Sequence, residues 1–332
     1  MKDSIEYKAL VAEETGNEIR PVIKTISTSS LPTGDILIKV NHSSLNYKDA
    51  LSSHGNRGIT RNYPHTPGID SSGVVVESSS SNFKEDEKVV VCGYDLGMNT
   101  PGGFGQYIRV PADWVMPLPE GLTSEESMML GTAGFTAALA IYKMELNGQK
   151  PADGPVLVTG ATGGLGSLAV NILAGKGYEV IAATGKTTEI SYLNSLGASS
   201  ILQRDEVDDH SGKYLLRPRW AGAIDTVGGN ILSTAIKGCK RHGNIACCGN
   251  ANSWQLNTTV FPFILNGINL LGVDSATCQM PLRMELWNKL AKEWRPGKLH
   301  QISTLISLNE LPEKINLILQ GKTKGRIVVS LD

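Results

Sequence analysis

The stretch Pro155-Val156-Leu157-Val158-Thr159-Gly160-Ala161-Thr162-Gly163-Gly164-Leu165-Gly166-Ser167 constrains the fold of this chain more than any other. A short β-branched run breaks into four glycines, which open an apolar segment from Leu168 to Leu173. The pattern predicts a strand, a tight turn and a helix. Glycine there lets the backbone take positive φ, approach a pyrophosphate closely and turn the first helical N–H groups toward it. The stretch reads as a dinucleotide site, although any tight strand-to-helix connection can use glycine.

The surroundings of that stretch decide its class. It also fits Thr-Gly-x-x-x-Gly-x-Gly, the turn of short-chain dehydrogenases, whose chemistry needs a tyrosine with a lysine four positions on. None of the nine tyrosines has one, and a long segment precedes the turn. The short-chain class is set aside. Up to about Glu120 the chain reads as β-rich, with strands expected over 35–40, 73–76, 88–92 and 106–110 and turn residues between them. From Thr123 the periodicity becomes helical, with breaks expected near Gly131 and Gly134. After the glycine turn, strands over 178–184, 200–202, 222–227, 243–248 and 269–273 alternate with helical segments, the spacing of a doubly wound parallel sheet. A tail with helices over 282–294 and 310–319 and strands over 302–305 and 326–329 is too short for a core of its own and is expected to join the first domain.

Charge and cysteine usage narrow the partners. With 31 basic and 32 acidic side chains the net charge is −1, so no overall field draws the chain to nucleic acid or an anionic membrane. Five unpaired-looking cysteines suit reduced thiols. The Met1 region, with Lys2, Asp3 and Glu6, has no apolar leader, and no run approaches membrane length. A cytoplasmic protein is expected.

The second strand end separates the two nicotinamide dinucleotides. A site for the unphosphorylated form places an Asp or Glu about 20 residues past the glycines, on the ribose hydroxyls. This chain has Thr184-Gly185-Lys186-Thr187, with Glu189 further on at a helix start. Lys186 and Thr184, joined by Arg204 after the third strand, form a candidate phosphate clamp, which favours NADPH; the plainer reading is two solvated surface cations.

Longer motifs carry a resemblance. Ser43-Ser44-Leu45-Asn46-Tyr47-Lys48-Asp49-Ala50, Pro67-Gly68-Ile69-Asp70, the run Gly131 to Ala137, the run Trp220 to Gly228, and Gly272-Val273-Asp274-Ser275 resemble the medium-chain dehydrogenase/reductase superfamily over essentially the whole chain. Within it they look like the YhdH/YhfP group of quinone oxidoreductases and NADPH-dependent acryloyl-CoA reductases. The resemblance implies an α/β protein: a GroES-like β-rich catalytic domain over residues 1–124 and 276–332, and a Rossmann nucleotide-binding domain over 125–275. It places Tyr47 beside the nicotinamide and substrate as proton donor or orienter, with a tyrosine closing the barrel as the alternative, and Asn46 as the residue fixing the local geometry. Thr162, Gly163, Gly164 and Leu165 would line the pyrophosphate, and Thr184, Gly185, Lys186 and Arg204 the adenosine phosphate. Asn250, Ile264 and Ser275 would surround the nicotinamide ribose. Tyr63 and Thr132 are weaker candidates, Asp70 is read as structural, and Lys48, Arg57 and Arg61 are either solvated or in reach of a coenzyme A phosphate.

The resemblance also implies absences. Zinc members carry a cysteine near Asn46 and Gly-His-Glu near Gly68, where this chain has Asn46 and Gly68-Ile69-Asp70, and no cysteine cluster lies between Gly93 and Gly105. His42, His54 and His65 lack partners at ligand spacing. Reduction of an activated C=C needs no Lewis acid: hydride adds to the β-carbon and a tyrosine or water protonates the α-carbon. The expectation is a zinc-independent NADPH-dependent reductase of acryloyl-CoA or a similar enoyl-CoA, forming a homodimer. A quinone oxidoreductase and a non-catalytic NADPH-binding protein are the alternatives.

Overall fold

The computed structural model describes residues 4–16 and 18–332. Met1, Lys2 and Asp3, on which the leader reading rests, lie outside the described residues. Two compact units form: Met1–Thr132 with Ala276–Ala291 and His300–Asp332, and Ala133–Ser275 with Lys292–Leu299.

The first unit is built on a seven-stranded sheet. Its path runs Ser303–Ser307, Arg326–Ser330, Ile36–Leu45, Asp70–Ser78, Lys88–Cys92 and Met116–Pro117, and Tyr107–Val110 pairs with Ile36–Leu45. Only the first two strands are parallel to each other. The tail therefore supplies strands to the N-terminal sheet, and Ile327 and Val329 share one core with Ile36, Ile38, Val40, Val89 and Phe104. Two strands precede those expected: Glu6–Thr15 pairs antiparallel with Glu18–Ser27, burying Leu10, Val11 and Ala12. The strand expected over 35–40 continues to Leu45 through Ser43 and Ser44, polar residues that are fully buried.

Those serines are tolerated because both hydroxyls donate to Asp70, Ser43 Oγ to its carbonyl at 2.7 Å and Ser44 Oγ to its carboxylate, which belongs to a buried ionic network. Arg326, 3% exposed, opens its strand inside the unit. Its guanidinium donates to the carbonyls of Met129 (3.2 Å) and Leu45 (3.3 Å), to Asn46 Oδ1 (3.0 Å) and to Ser44 Oγ (2.6 Å), and lies 3.6 Å from Asp70 Oδ2. Asp70, with no exposed surface, accepts from Ser44 Oγ (2.6 Å), Asn46 Nδ2 (2.8 Å), Thr132 N (3.0 Å) and Thr132 Oγ1 (2.6 Å). A second buried carboxylate, Asp49, accepts from the N–H groups of Asn46 and Ile69 at 2.8 and 2.9 Å. Burial, reinforced by the charge of Asp70, pushes its pKa up to about 7. Burial lowers the pKa of Arg326, and Asp70 and Asp49 oppose that shift.

One backbone break admits Thr132 to this network. The helical run Ser124–Leu146 is interrupted at Gly131, with φ 51° and ψ −156°; the break expected at Gly134 does not occur. A Cβ on Gly131 would lie 2.5 Å from Asp70 Oδ2, 2.7 Å from Ser44 Oγ and 2.8 Å from Arg326 Nη2.

The second unit is a six-stranded parallel sheet ordered Ser200–Gln203, Val180–Thr184, Val156–Val158, Trp220–Asp225, Cys239–Cys247, Asn269–Gly272. In the unit's own strand sequence this is 3-2-1-4-5-6, the doubly wound order, whose crevice opens where strand 1 neighbours strand 4. Its core joins Leu157, Ala223, Ile231, Ile236 and Ile245. Among the described residues no helix is long and apolar enough to cross a membrane.

Two substitutions test the buried network. Gly131→Ala, which adds a Cβ among three fixed polar groups at positive φ, should cost about 2 kcal/mol or more. Arg326→Met leaves two carboxylates buried without their cation and should cost about 3–5 kcal/mol. Urea denaturation followed by circular dichroism measures both; unchanged midpoints would contradict the account of the network.

Candidate functional site

The glycine-rich turn follows strand Val156–Val158 at the crevice end of the parallel sheet. Gly160 takes φ 58°, and a Cβ there would lie 2.3 Å from Thr226 Oγ1 on the neighbouring strand end. A Cβ on Gly166 would meet the Gly160 carbonyl at 2.3 Å, so glycine alone lets the helix Gly164–Gly175 approach the turn. No side chain caps that helix at Gly163. The first N–H groups, including those of Gly164 and Leu165, therefore carry the partial positive charge that suits a pyrophosphate. Behind the turn Thr159 Oγ1 donates to Asp225 Oδ1 at 2.7 Å, and Asp225 Oδ2 accepts from Gly228 N at 2.7 Å. Asp225 is fully buried, and burial raises its pKa. This pair ties together the two strand ends that frame the crevice; a carboxylate closing the apolar run Ala223-Ile224 was its signal in the sequence.

The next strand end gathers the phosphate candidates. Thr184, 4% exposed, ends strand Val180–Thr184; its Oγ1 is 3.4 Å from Thr162 Oγ1 and accepts from Lys186 N at 3.0 Å. Gln203 is in register with Thr184, so Arg204 leaves the adjoining strand at the same level. A Cβ on Gly185 would lie 2.7 Å from Arg204 Nη2 and 2.9 Å from its Cζ. Arg204 thus rests on the bare face of Gly185, next to Lys186. Thr162, Thr184, Gly185, Lys186 and Arg204 form one cluster, and Glu189 falls in the following turn Thr187–Glu189. Two cations, one hydroxyl and a helix N-terminus fit the adenosine phosphate and pyrophosphate of an NADP-type dinucleotide.

The remaining candidates divide. Asn250 is exposed beyond strand Cys239–Cys247, in a loop held by Ala251 N to Thr226 O (3.5 Å) and Asn252 N to Val227 O (2.9 Å). Ser275 follows strand Asn269–Gly272 and accepts from Thr136 Oγ1 at 2.8 Å. Both stand past carboxyl ends of the sheet, as the glycine turn does. Ile264 is 68% exposed on the short helix Phe261–Asn266, which feeds the opposite, N-terminal end of the strand leading to Ser275.

In the first unit, Asn46 caps the helix Tyr47–Ser53 and is built into the ionic network. Both ends of its amide are occupied, by Asp70 and the Ser44 carbonyl on one side and Arg326 on the other. Tyr47 opens that helix at 39% exposure, and its hydroxyl makes no hydrogen bond among the described residues. Tyr63 Oη donates to the Ser52 carbonyl (2.7 Å), and Thr132 is held by Asp70. Sequence reasoning missed Arg326, whose signal was an arginine heading the apolar run Ile327-Val328-Val329. The amide of Asn46 and the carboxylate of Asp70 hold the guanidinium of Arg326. This donor set does not fit zinc, and among the described residues no group of three or more His, Cys, Asp or Glu is placed to bind a metal ion. The five cysteines are free thiols. A groove of about 1000 Å³ between Glu14, Arg20, His54, Arg57 and Asn316 is lined by none of the candidate cofactor or catalytic residues.

Comparison with known proteins agrees with this geometry. Residues 32–120 match the alcohol dehydrogenase GroES-like domain family and residues 164–291 the zinc-binding dehydrogenase family. YhfP of Bacillus subtilis, named as a quinone oxidoreductase, is 42% identical over 98% of this chain and 99% of its own. The acrylyl-CoA reductase AcuI of Ruegeria pomeroyi is 41% identical, covering 98% of this chain and 99% of its own. The crystal structure of the Salmonella enterica YhdH oxidoreductase in complex with NADP superposes with a TM-score of 0.95 at 40% identity, over 98% of this chain and all of that one. Bacillus subtilis YhfP was solved with NAD bound and gives the same TM-score at 41% identity, with the same coverage. The chain is an oxidoreductase of the medium-chain dehydrogenase/reductase family, in the group that includes YhfP, AcuI and YhdH.

Proposed function

We propose that the protein is a zinc-independent, NADPH-dependent reductase of activated C=C bonds, acting on acryloyl-CoA or a similar short enoyl-CoA. The observation that carries the cofactor choice is the strand-end cluster of Thr184, Lys186 and Arg204, with no carboxylate at the position that would hold free ribose hydroxyls. The chain's 41% identity to an acrylyl-CoA reductase supports the substrate class. Its 42% identity to a protein named for quinone reduction keeps quinones as the second reading.

Thr162, Gly163, Gly164 and Leu165 hold the pyrophosphate through backbone N–H groups, and Thr184, Lys186 and Arg204 hold the adenosine phosphate with Gly185 leaving room for the guanidinium. Asn250 and Ser275 orient the nicotinamide ribose. When bound, the cofactor supplies a hydride to the β-carbon, leaving an electron pair delocalised onto the thioester oxygen as an enolate. Tyr47 offers its uncommitted hydroxyl to that enolate and returns a proton to the α-carbon, giving the saturated thioester. Asn46, with Arg326 and Asp70 behind it, fixes the helix on which Tyr47 stands. In this reading the enolate is stabilised by hydrogen-bond donors.

We propose a cytoplasmic homodimer, which the free thiols and an exposed apolar patch support. Ile264 and Leu265, on the helix Phe261–Asn266 that precedes edge strand Asn269–Gly272, are 68 and 52% exposed, Trp254 and Val260 in the segment before that helix are 80 and 63% exposed, and among the described residues the strand pairs on one side only. A second copy covering this edge would bury them.

Steady-state assays with acryloyl-CoA, crotonyl-CoA and a small quinone, each with NADPH and NADH, test the reading. Faster turnover of the quinone than of either thioester would overturn the enoyl assignment, and no turnover of any acceptor would favour a non-catalytic NADPH-binding protein. Lys186→Ala and Arg204→Ala should each raise KM for NADPH about tenfold or more while leaving KM for NADH within about twofold. Tyr47→Phe should lower kcat about 100-fold with KM for NADPH little changed; a lowered Tm with kcat retained would instead make Tyr47 a packing residue.

A further inference from the structure

Beyond the cofactor and the reacting carbons lies a set of cations with no role so far. Lys48 follows Tyr47 on the helix Tyr47–Ser53, is half-buried, and among the described residues has Met98 Sδ, at 3.8 Å, as its only side-chain partner. A thioether is a weak acceptor, so the ammonium is partly withdrawn from water without a compensating anion. Asn99, the next residue on that loop, accepts from Arg61 N through Oδ1 at 3.2 Å. The Lys48 ammonium and the Arg61 main chain therefore meet adjacent residues of one loop. Arg57 joins them, donating to the Arg61 carbonyl at 2.5 Å and lying 4.9 Å from the centre of the Tyr63 ring.

Glu14 and Asp95 offset this group only in part. Asp95, the acid of the same loop, is engaged by Asn99 Nδ2 (2.9 Å) and Thr100 Oγ1 (3.2 Å). Arg57 has one ion pair, with Glu14 at 3.3 Å, and its side chains are 57 and 68% exposed, which makes it weak. Among the described residues Lys48 and Arg61 have no carboxylate partner. The thioester end of an acyl-CoA is neutral, whereas its far end carries a pyrophosphate and a 3′-phosphate. Lys48, one residue after Tyr47, and Arg57 and Arg61, joined through the Arg61 carbonyl, gather positive charge around one loop, which suits a substrate whose reacting end is neutral and whose handle is anionic.

We propose that Lys48, Arg61 and Arg57 form the subsite for the phosphates of a coenzyme A thioester, with Lys48 and Arg61 as its specificity-determining residues. The proposal rests on the enoyl-CoA reading and deepens it: the rim distinguishes a nucleotide-linked acyl group from a quinone or a free enone of equal reactivity. Because the contacts are charge-assisted and partly exposed, they weaken with ionic strength.

Binding of CoA and of pantetheine, which lacks every phosphate, to the full-length protein with NADP present tests this by titration calorimetry. Lys48→Ala and Arg61→Ala should each raise the Kd for CoA about tenfold and leave that for pantetheine within about twofold, and Lys48→Arg should restore most of the CoA affinity. The wild-type Kd for CoA should rise between 50 and 500 mM salt by about tenfold or more. The proposal falls if the wild-type protein binds CoA no better than pantetheine, if the alanine variants leave CoA binding unchanged, or if they weaken both ligands equally. Failure of the enoyl-CoA reading is seen separately, as phosphate-dependent CoA binding without turnover of acryloyl-CoA.

Discussion

An arginine withdrawn from water must have its charge answered and its N–H groups matched, and in the first unit Arg326 organises its surroundings on those terms. Three carbonyls, an amide oxygen and a serine hydroxyl accept its hydrogen bonds, while Asp70 supplies the charge. The partners come from three stretches of the chain: Ser44 to Asn46, where strand Ile36–Leu45 meets helix Tyr47–Ser53, the start of strand Asp70–Ser78, and the turn just before the break at Gly131. Removing the cation would leave two carboxylates and a strained glycine without their reason. The arrangement that holds Asn46 and aims the first turn of its helix is thus electrostatic before it is hydrophobic.

The second unit depends on a different constraint, the common direction of its strands. In a parallel sheet every carboxyl end opens on one edge, so residues far apart in sequence meet there without any special contact. The glycine turn, Thr184, Arg204, Asn250 and Ser275 are all delivered this way. The crevice is kept open by polar satisfaction inside the sheet, where Asp225 spends both carboxylate oxygens on Thr159 and on backbone N–H groups.

Much of this was legible in the residues. The parallel sheet followed from apolar runs alternating with helical segments, and the closing strand Arg326–Ser330 from its β-branched run. The first hairpin was not: Glu6–Thr15 reads Glu-Tyr-Lys-Ala-Leu-Val-Ala-Glu-Glu-Thr, rich in helix formers, and becomes a strand only because its partner and the core behind it override local preference. The extension of a strand through Ser43 and Ser44 was equally hidden, since nothing local says that their hydroxyls meet Asp70. The candidate residues of short motifs, Thr162 to Leu165 and Thr184 to Lys186, could be picked out because the glycine turn and the strand end that carry them are local features. Arg326 was not, because its meaning arises from groups nearly three hundred residues away.

The seating of Arg204 on Gly185 has a consequence for how such a protein changes its cofactor. The two cations of the candidate clamp stand on neighbouring strands, and only the pairing of Ser200–Gln203 with Val180–Thr184 brings them level. That outer strand is the last of its sheet, four residues long and half-exposed. A shift of its register by one position, caused by a substitution in the helix Ile190–Ser195 or the turn before it, would carry Arg204 away from Lys186 with every clamp residue intact. On the proposed clamp, dinucleotide preference depends on an edge strand's alignment as well as on Lys186 and Arg204, and drift between the two cofactors can begin at positions outside the clamp.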